Sequence, residues 1–284
     1  MSNGLPGFLD FTKPGNDLVD DMRYPPFIRF WRRYGRNFLK LVQVNLFYAV
    51  VTLPIYVWIT SVLNAASVQI GGGVFTVLGA LLLSGAMYWP PIVLGALLLG
   101  SVVLLGPATA ALTYAALNCA WDRPGMFWPE FWQAFRENWK QALPFGFLDV
   151  FALFATVYYL IDGKAAFGDA SAVLTVLWMI LVMLYAMMRV YLYPIMVTVQ
   201  LSTGALIRNS LALAVLKLWR PLAVVAVAAV LTVLCVVADI VLIPCFLYSF
   251  VAFMASFLTK PMIDGYLIHP QTNSDEKTQT QQEG

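Results

Sequence analysis

The chain has 284 residues, of which 61% are hydrophobic and only 11% are charged, and its mean hydropathy is +0.76. An average soluble domain has about 25% charged residues, so this composition excludes an ordinary soluble domain and indicates membrane segments. The formal net charge of +2 is too small to indicate nucleic-acid binding. We therefore expect the lipid bilayer to be a partner and nucleic acid not to be one.

The N-terminal region, residues 1–37, is predicted to lie in the cytoplasm and to contain a basic amphipathic helix. Residues 1–21 lack the apolar core of a cleavable signal peptide, so we expect the first span to serve as the insertion signal. From Pro26 to Leu41, aromatic and apolar side chains recur at helical spacing, and basic side chains largely take the other side. Such a helix is expected to lie in the membrane interface against anionic lipid. Its predicted interfacial or partner-docking residues are Arg29, Trp31, Arg32, Arg33 and Arg36.

Five apolar stretches are each long enough to cross the bilayer, because a helix needs about 20 residues to span a hydrocarbon core of about 30 Å. The fifth holds about 37 residues and is long enough to cross twice, with Asp239 and Pro244 at the predicted turn. Residues 38–265 are therefore predicted to form an all-α, polytopic transmembrane helix bundle of about six spans, with five spans as the alternative. The five stretches are Val42–Leu63, Ile92–Leu117, Leu143–Ile161, Val173–Val197 and Leu222–Leu258.

The basic residues predict how these spans are oriented. If the spans alternate, sixteen of the seventeen Lys and Arg residues fall on one side of the membrane, and positively charged connections stay in the cytoplasm. The N-terminus and the 122–140 connection are therefore predicted to be cytoplasmic, and residues 64–91 to lie outside. The apolar segment Gly71–Tyr88 is interpreted as an outer-leaflet or re-entrant helix, because another span there would move the basic residues of 122–140 outside.

Two more amphipathic helices are predicted on the cytoplasmic side. The first follows the second span and carries an aromatic stripe opposite its charged residues. The second, Leu206–Leu218, is predicted to turn its apolar side chains away from Arg208 and Lys217. The aromatic stripe suits either an anchor at the headgroup level or a surface that docks another protein, and both interpretations stay open. Its predicted contact residues are Trp128, Trp132, Phe135 and Trp139.

Three of the polar side chains within the predicted spans are candidates for a functional site, because ionisable groups there are costly and often functional. Asp149 and Arg189 fall in the cytoplasmic halves of the third and fourth spans, which a short outer connection joins. Short connections make helices antiparallel neighbours, so we predict a contact between these two residues, either as a structural pair or as a substrate or proton site. Asn45, in the first span, is expected to bond a neighbouring helix. These three residues form the candidate intramembrane polar site.

A set of short motifs runs along most of the chain, and its specific part is Gly106–Leu112 (GPATAAL), followed by Phe131–Phe135 (FWQAF) and Asn138–Lys140 (NWK). Phe11–Gly15 (FTKPG) and Lys260–Asp264 (KPMID) extend it towards both ends. In this order the motifs resemble the YesL family of bacterial membrane proteins. The resemblance implies a multi-pass protein of the bacterial inner membrane. It also implies an association with carbohydrate uptake, because members of that family are often encoded beside sugar ABC importers. It supplies no catalytic or ligand-binding residues.

We therefore expect an accessory or regulatory protein of the bacterial inner membrane, with the permease of a sugar ABC importer as its partner. The alternative is a transporter in its own right, with a polar site between the third and fourth spans. The single histidine, His269, follows the last span, and the three Cys residues show no metal-ligand spacing, so we expect no enzyme activity, no metal and no cofactor. Residues 266–284 form a polar cytoplasmic tail that is predicted to be disordered.

Overall fold

The computed structural model describes residues 24–65, 91–123, 127–237 and 243–263. Several of the expectations above concern residues outside these ranges. They are the ones for residues 1–23, Gly71–Tyr88, Asp239, His269 and the tail 266–284.

The described residues form nine α-helices and a short 3-10 helix at Gly168–Ala170, with no strand among them. The expected all-helical class is confirmed. The helices are α1 (Pro26–Arg36), α2 (Phe38–Ala65), α3 (Pro91–Trp121), α4 (Phe127–Glu137), α5 (Trp139–Phe167), α6 (Ser171–Thr198), α7 (Thr203–Leu216), α8 (Trp219–Val237) and α9 (Ile243–Ile263).

Four of the described helices, α2, α3, α5 and α6, are long and apolar enough to cross a membrane. The helices α7 and α8 meet at an angle of 91° and count as a fifth candidate if the bent pair is one span. The described residues of the long apolar stretch at Leu222–Leu258 belong to two helices, α8 and α9, while the predicted turn residue Asp239 lies outside the described ranges. Pro244 is the second residue of α9, where proline fits a helix without breaking it. The chain is thus a helical membrane bundle, and its division into six spans stays a prediction.

Helix α3 lies in the middle of the bundle and contacts α1, α2, α4, α5, α6 and α9. Its inner surface consists largely of alanine, which lets neighbouring backbones approach closely, as is common where helices pack within membranes. Five of these alanines are completely buried, namely Ala108, Ala110, Ala111, Ala116 and Ala120. The second half of α3 therefore supplies the framework on which the polar side chains are positioned.

Helix α1 packs on the end of this bundle through an aromatic cluster. The ring of Phe30 lies 5.2 to 5.8 Å, centroid to centroid, from Phe250, Phe253 and Phe257 of α9. Tyr34 is buried beside them, and burial raises the pKa of its hydroxyl. The aromatic side of α1 thus contacts protein rather than only lipid.

Helix α7 differs from the amphipathic helix that was expected. The predicted apolar stripe is divided, because Leu206 and Ala214 are completely buried while Ile207, Leu211 and Val215 are exposed. The physical reason is that apolar residues occupy most of the circumference of α7, so packing against α6 buries one part of the stripe and leaves the rest outside. An apolar outer surface of this kind suits contact with lipid.

Candidate functional site

Asp149 of α5 and Arg189 of α6 form an ion pair inside the bundle. The Arg189 Nη2 atom lies 2.9 Å from the Asp149 Oδ2 atom. The two helices follow each other in the chain and are connected by the short 3-10 helix, as the short predicted connection requires. The predicted contact between these residues is present.

Two tyrosines complete the network around the carboxylate. The Tyr185 hydroxyl donates a hydrogen bond of 2.6 Å to Asp149 Oδ1, and the Tyr193 hydroxyl donates one of 3.2 Å to Asp149 Oδ2. The Arg189 guanidinium also lies 5.4 Å from the centroid of the Tyr193 ring, within cation–π range. Both oxygens of the carboxylate are therefore bonded, and α6 supplies all three donors.

The tyrosines were not among the predicted site residues, although the sequence contains a signal for them. Tyr185, Arg189 and Tyr193 are spaced four residues apart, so a helix places all three on one face. The arginine then lies between two hydroxyl donors that point at the same neighbouring helix. This spacing predicts a network of three donors on one helix face. A single arginine whose side chain extends to the membrane interface would not need tyrosines at these positions.

The ion pair borders two cavities. One has a volume of about 500 Å³ and is lined by Asp149 and Tyr185, and the other has a volume of about 290 Å³ and is lined by Tyr193. Arg189 lines both, with 38% of its side chain exposed against 10% for Asp149. Its buried Nε atom has no hydrogen-bond partner in the described part of the chain. The other residues shared by the two cavities are Tyr48, Ala186, Thr232 and Tyr248.

Asn45, the third predicted polar residue, is not part of this network. It is completely buried in α2, and its Oδ1 atom accepts a hydrogen bond of 2.7 Å from the backbone N–H of Ser249 in α9. It lines neither cavity. As expected, Asn45 bonds a neighbouring helix, so the three candidates divide into an ion pair and a separate helix-to-helix contact.

Two of the basic residues assigned to the interface make ion pairs within the protein. Arg33 is buried, donates a hydrogen bond of 2.8 Å to the Ala120 carbonyl, and places its Nε atom 2.8 Å from Asp122 Oδ2. Arg36 donates a hydrogen bond of 2.9 Å to Asp122 Oδ1. Cations are stabilised where a helix ends, and Asp122 directly follows the last residue of α3.

The remaining interfacial residues are exposed to different degrees. Trp31 and Arg32 of α1 are exposed, and Arg29 is half-buried. The Arg32 guanidinium lies 4.5 Å from the centroid of the Tyr24 ring. On α4, Trp128 is 41% exposed and Trp132 is 40% exposed. Phe135 is half-buried. Trp139 is half-buried too, but it is the first residue of α5 and not, as predicted from the sequence, part of α4. The aromatic stripe on α4 is thus presented on the surface of the protein.

The fold and this network define a helical membrane protein that has an ion pair, hydrogen-bonded by two tyrosines, within its bundle. Residues 69–160 match the model of a family described as a protein of unknown function, DUF624. The matched range includes α3, α4 and most of α5, so it contains Asp149 and ends before Arg189. The chain matches no curated protein and no solved structure.

Proposed function

We propose that the protein is a YesL-type protein of the bacterial inner membrane that acts, without enzyme activity, as an accessory or regulatory partner of a carbohydrate ABC importer. YesL proteins belong to the family whose model matches residues 69–160. The excess of Lys and Arg on one side of the predicted spans supports a cytoplasmic N-terminus. The association with carbohydrate uptake rests on the resemblance to the YesL family.

The observation that carries this proposal is the aromatic surface of α4, formed by the exposed Trp128 and Trp132 with the half-buried Phe135 beside them. Phe131 packs α4 against the bundle. It is 1% exposed, and the centroid of its ring lies 5.4 Å from that of Phe47 in α2. The rings of this surface contact one another edge to face, with 5.6 Å between the centroids of Trp132 and Phe135. A rigid aromatic surface costs little conformational entropy on binding and is typical of protein interfaces.

A headgroup-level anchor would use the same residues, so the experiment must separate protein from lipid. A photoreactive amino acid is placed at Trp132 and, as a control, at Leu181, an exposed apolar residue of α6. We expect the Trp132 position to form an adduct with the permease of a carbohydrate ABC importer in intact cells, and the Leu181 position not to. Lipid adducts alone at Trp132 would contradict the docking function.

Substitutions at two exposed tryptophans provide a second test of docking at α4. We expect Trp132→Ala to reduce co-purification of that permease in mild detergent, while Trp219→Ala leaves it unchanged. Trp219 is more exposed than Trp132 and lies on the same predicted side of the membrane, but outside α4. An equal loss in both variants would indicate a general contribution of surface tryptophans rather than docking at α4.

A second candidate function is transport by the protein itself, favoured by the two cavities at Arg189. A guanidinium that faces cavities within a membrane bundle and has an unpartnered buried Nε atom can bind a polar or anionic solute. Uptake of a sugar into liposomes that contain only the purified protein, abolished by Arg189→Gln, would favour this function. No uptake, together with a permease adduct at Trp132, would favour the accessory function.

A further inference from the structure

A small polar pocket lies at the end of the bundle where α1, α2, α3 and α4 meet. Its volume is about 180 Å³, below the roughly 300 Å³ at the lower end of pockets for drug-sized ligands. It is next to the first residue of one candidate span, Phe38, and the last residue of another, Trp121. A molecule bound here would therefore be small and at the level of the membrane surface.

The charges around this pocket do not cancel. Its two acids are already engaged, since Asp122 pairs with Arg33 and Arg36, and Glu130 accepts a hydrogen bond of 3.0 Å from Asn118 Nδ2. Its other two cations have no carboxylate partner in the ranges that the structure covers. They are Lys40 and Arg123.

The positions of these two cations suit an anion. Lys40 is exposed at the pocket. The Arg123 guanidinium is held 4.5 Å from the centroid of the Trp121 ring, a contact that orients the charge without neutralising it. A lysine and an arginine that both line one small pocket are suited to a phosphate group, because both donate charge-assisted hydrogen bonds.

The pocket also offers uncharged groups that lack partners. The Asn118 Oδ1 atom is buried and accepts no hydrogen bond, and the Tyr114 hydroxyl makes none within the described residues. A buried acceptor without a donor is costly. Ionised phosphate oxygens accept hydrogen bonds and cannot donate one to Asn118 Oδ1, whereas an alcohol hydroxyl on the same ligand can.

We propose that this pocket binds a phosphate ester that carries a free hydroxyl group, with the phosphate on Lys40 and Arg123 and the hydroxyl on Asn118 Oδ1. The headgroup of an anionic glycerophospholipid and a soluble glycerol phosphate share this chemistry. The proposal is independent of the importer association, because it concerns a different surface and a different class of ligand.

The test uses the purified full-length protein in a neutral detergent, with thermal unfolding as the readout. The probes are phosphatidylglycerol and phosphatidylcholine in mixed micelles, and glycerol 3-phosphate and methyl phosphate in solution. We expect phosphatidylglycerol to raise Tm in a saturable manner and phosphatidylcholine not to. Stabilisation by glycerol 3-phosphate as well would identify a soluble ligand, and stabilisation by phosphatidylglycerol alone a lipid headgroup. Either result supports the site, and the absence of both would overturn it.

Substitutions distinguish the pocket from general attraction to anions. We expect Lys40→Gln and Arg123→Gln each to weaken binding of the active probe about ten-fold, the loss of one charge-assisted hydrogen bond. Lys40→Arg should retain binding. The control is Lys217→Gln, which removes an exposed charge on the same predicted side but outside the pocket.

An equal loss in Lys217→Gln, or none in Lys40→Gln, would overturn the proposal. Methyl phosphate has no hydroxyl, so we expect it to bind more weakly than glycerol 3-phosphate if the ligand is soluble. If the ligand is a lipid, the comparison is between phosphatidic acid and phosphatidylglycerol. Phosphatidic acid has no alcohol hydroxyl in its headgroup, so we expect it to bind more weakly than phosphatidylglycerol. Equal binding of the matched probes would overturn the contact with Asn118. Each variant's Tm without a probe shows that it is folded.

Discussion

Gly106 of α3 and Gly146 of α5 pack backbone against backbone. A Cβ atom on Gly106 would lie 2.2 Å from the Ala142 carbonyl oxygen, and one on Gly146 would lie 2.5 Å from the Gly106 nitrogen. Neither neighbour is a side chain that can rotate away. The contact sets the distance between α3 and α5, the helix that carries Asp149. Gly106 is the first residue of the GPATAAL motif.

We expect Gly146→Ala to destabilise the protein by about 1–3 kcal/mol or more, because overpacking a close helix contact forces the backbones apart. The control is Gly100→Ala on α3, where an added Cβ would meet no atom within 4 Å. That change should be neutral or slightly stabilising, since alanine favours a helix by about 1 kcal/mol over glycine. Thermal unfolding in detergent measures both. Equal effects of the two variants would contradict the close approach.

The hydrogen bond from Tyr185 to Asp149 gives a second prediction. We expect Tyr185→Phe to cost about 1 kcal/mol, the order found for polar contacts between membrane helices. Tyr158→Phe on α5 is the control, because Tyr158 is exposed and no hydrogen bond of its hydroxyl is found among the described residues. A loss in Tyr158→Phe as large as that in Tyr185→Phe would show that the bond to Asp149 contributes nothing specific.

The pairing of Asp122 with α1 gives a third prediction. We expect Asp122→Asn to destabilise the protein by about 3 kcal/mol, because it removes the carboxylate that lies 2.8 Å from the Nε atom of the buried Arg33. Asparagine is the informative replacement, since Asp122 has a φ of 51° and asparagine tolerates this left-handed conformation.

The control for Asp122→Asn is Glu137→Gln, which removes an exposed acid of α4. It should change the free energy of unfolding by no more than about 0.5 kcal/mol. Denaturant or thermal unfolding in detergent compares the two. Similar small effects of both variants would mean that α1 is not held by Asp122.

Hydropathy and loop length together predicted the helical class, the approximate positions of the apolar helices and the contact between Asp149 and Arg189. These features depend on properties of single segments and on the order of segments along the chain. The connection from α5 to α6 is short, so it restricts the two helices to neighbouring positions.

The positions of Arg33 and of the α7 side chains could not be predicted in the same way. A basic, aromatic helix satisfies the rules for a membrane interface whether its arginines meet lipid or Asp122, and only tertiary packing decides between them. Helix α7 is apolar on most of its circumference, so its sequence does not specify which side faces α6. Asn45 was correctly expected to bond another helix, but its partner, the Ser249 backbone, is 204 residues away in the chain.

The orientation in the membrane gives a fourth prediction, which rests on the charges of the connections. In a variant without Cys119, Cys235 and Cys245, a cysteine at Gln133 should resist a membrane-impermeant thiol reagent in intact cells. A cysteine at Asn64 should react. Permeabilised cells provide the control, since the Gln133 position should then react as well. The reverse labelling pattern would contradict a cytoplasmic α4.

The pairing of Asp149 with Arg189 is tested most directly by a double-mutant cycle. Asp149→Asn and Arg189→Gln, singly and together, are compared by thermal unfolding in detergent. We expect each single change to cost about 2 kcal/mol or more, because it leaves the other charge without its partner inside the bundle. The double variant should lose clearly less than the sum of the two single losses, since neither charge is then left behind. Additive losses would show that the two residues do not act as a pair.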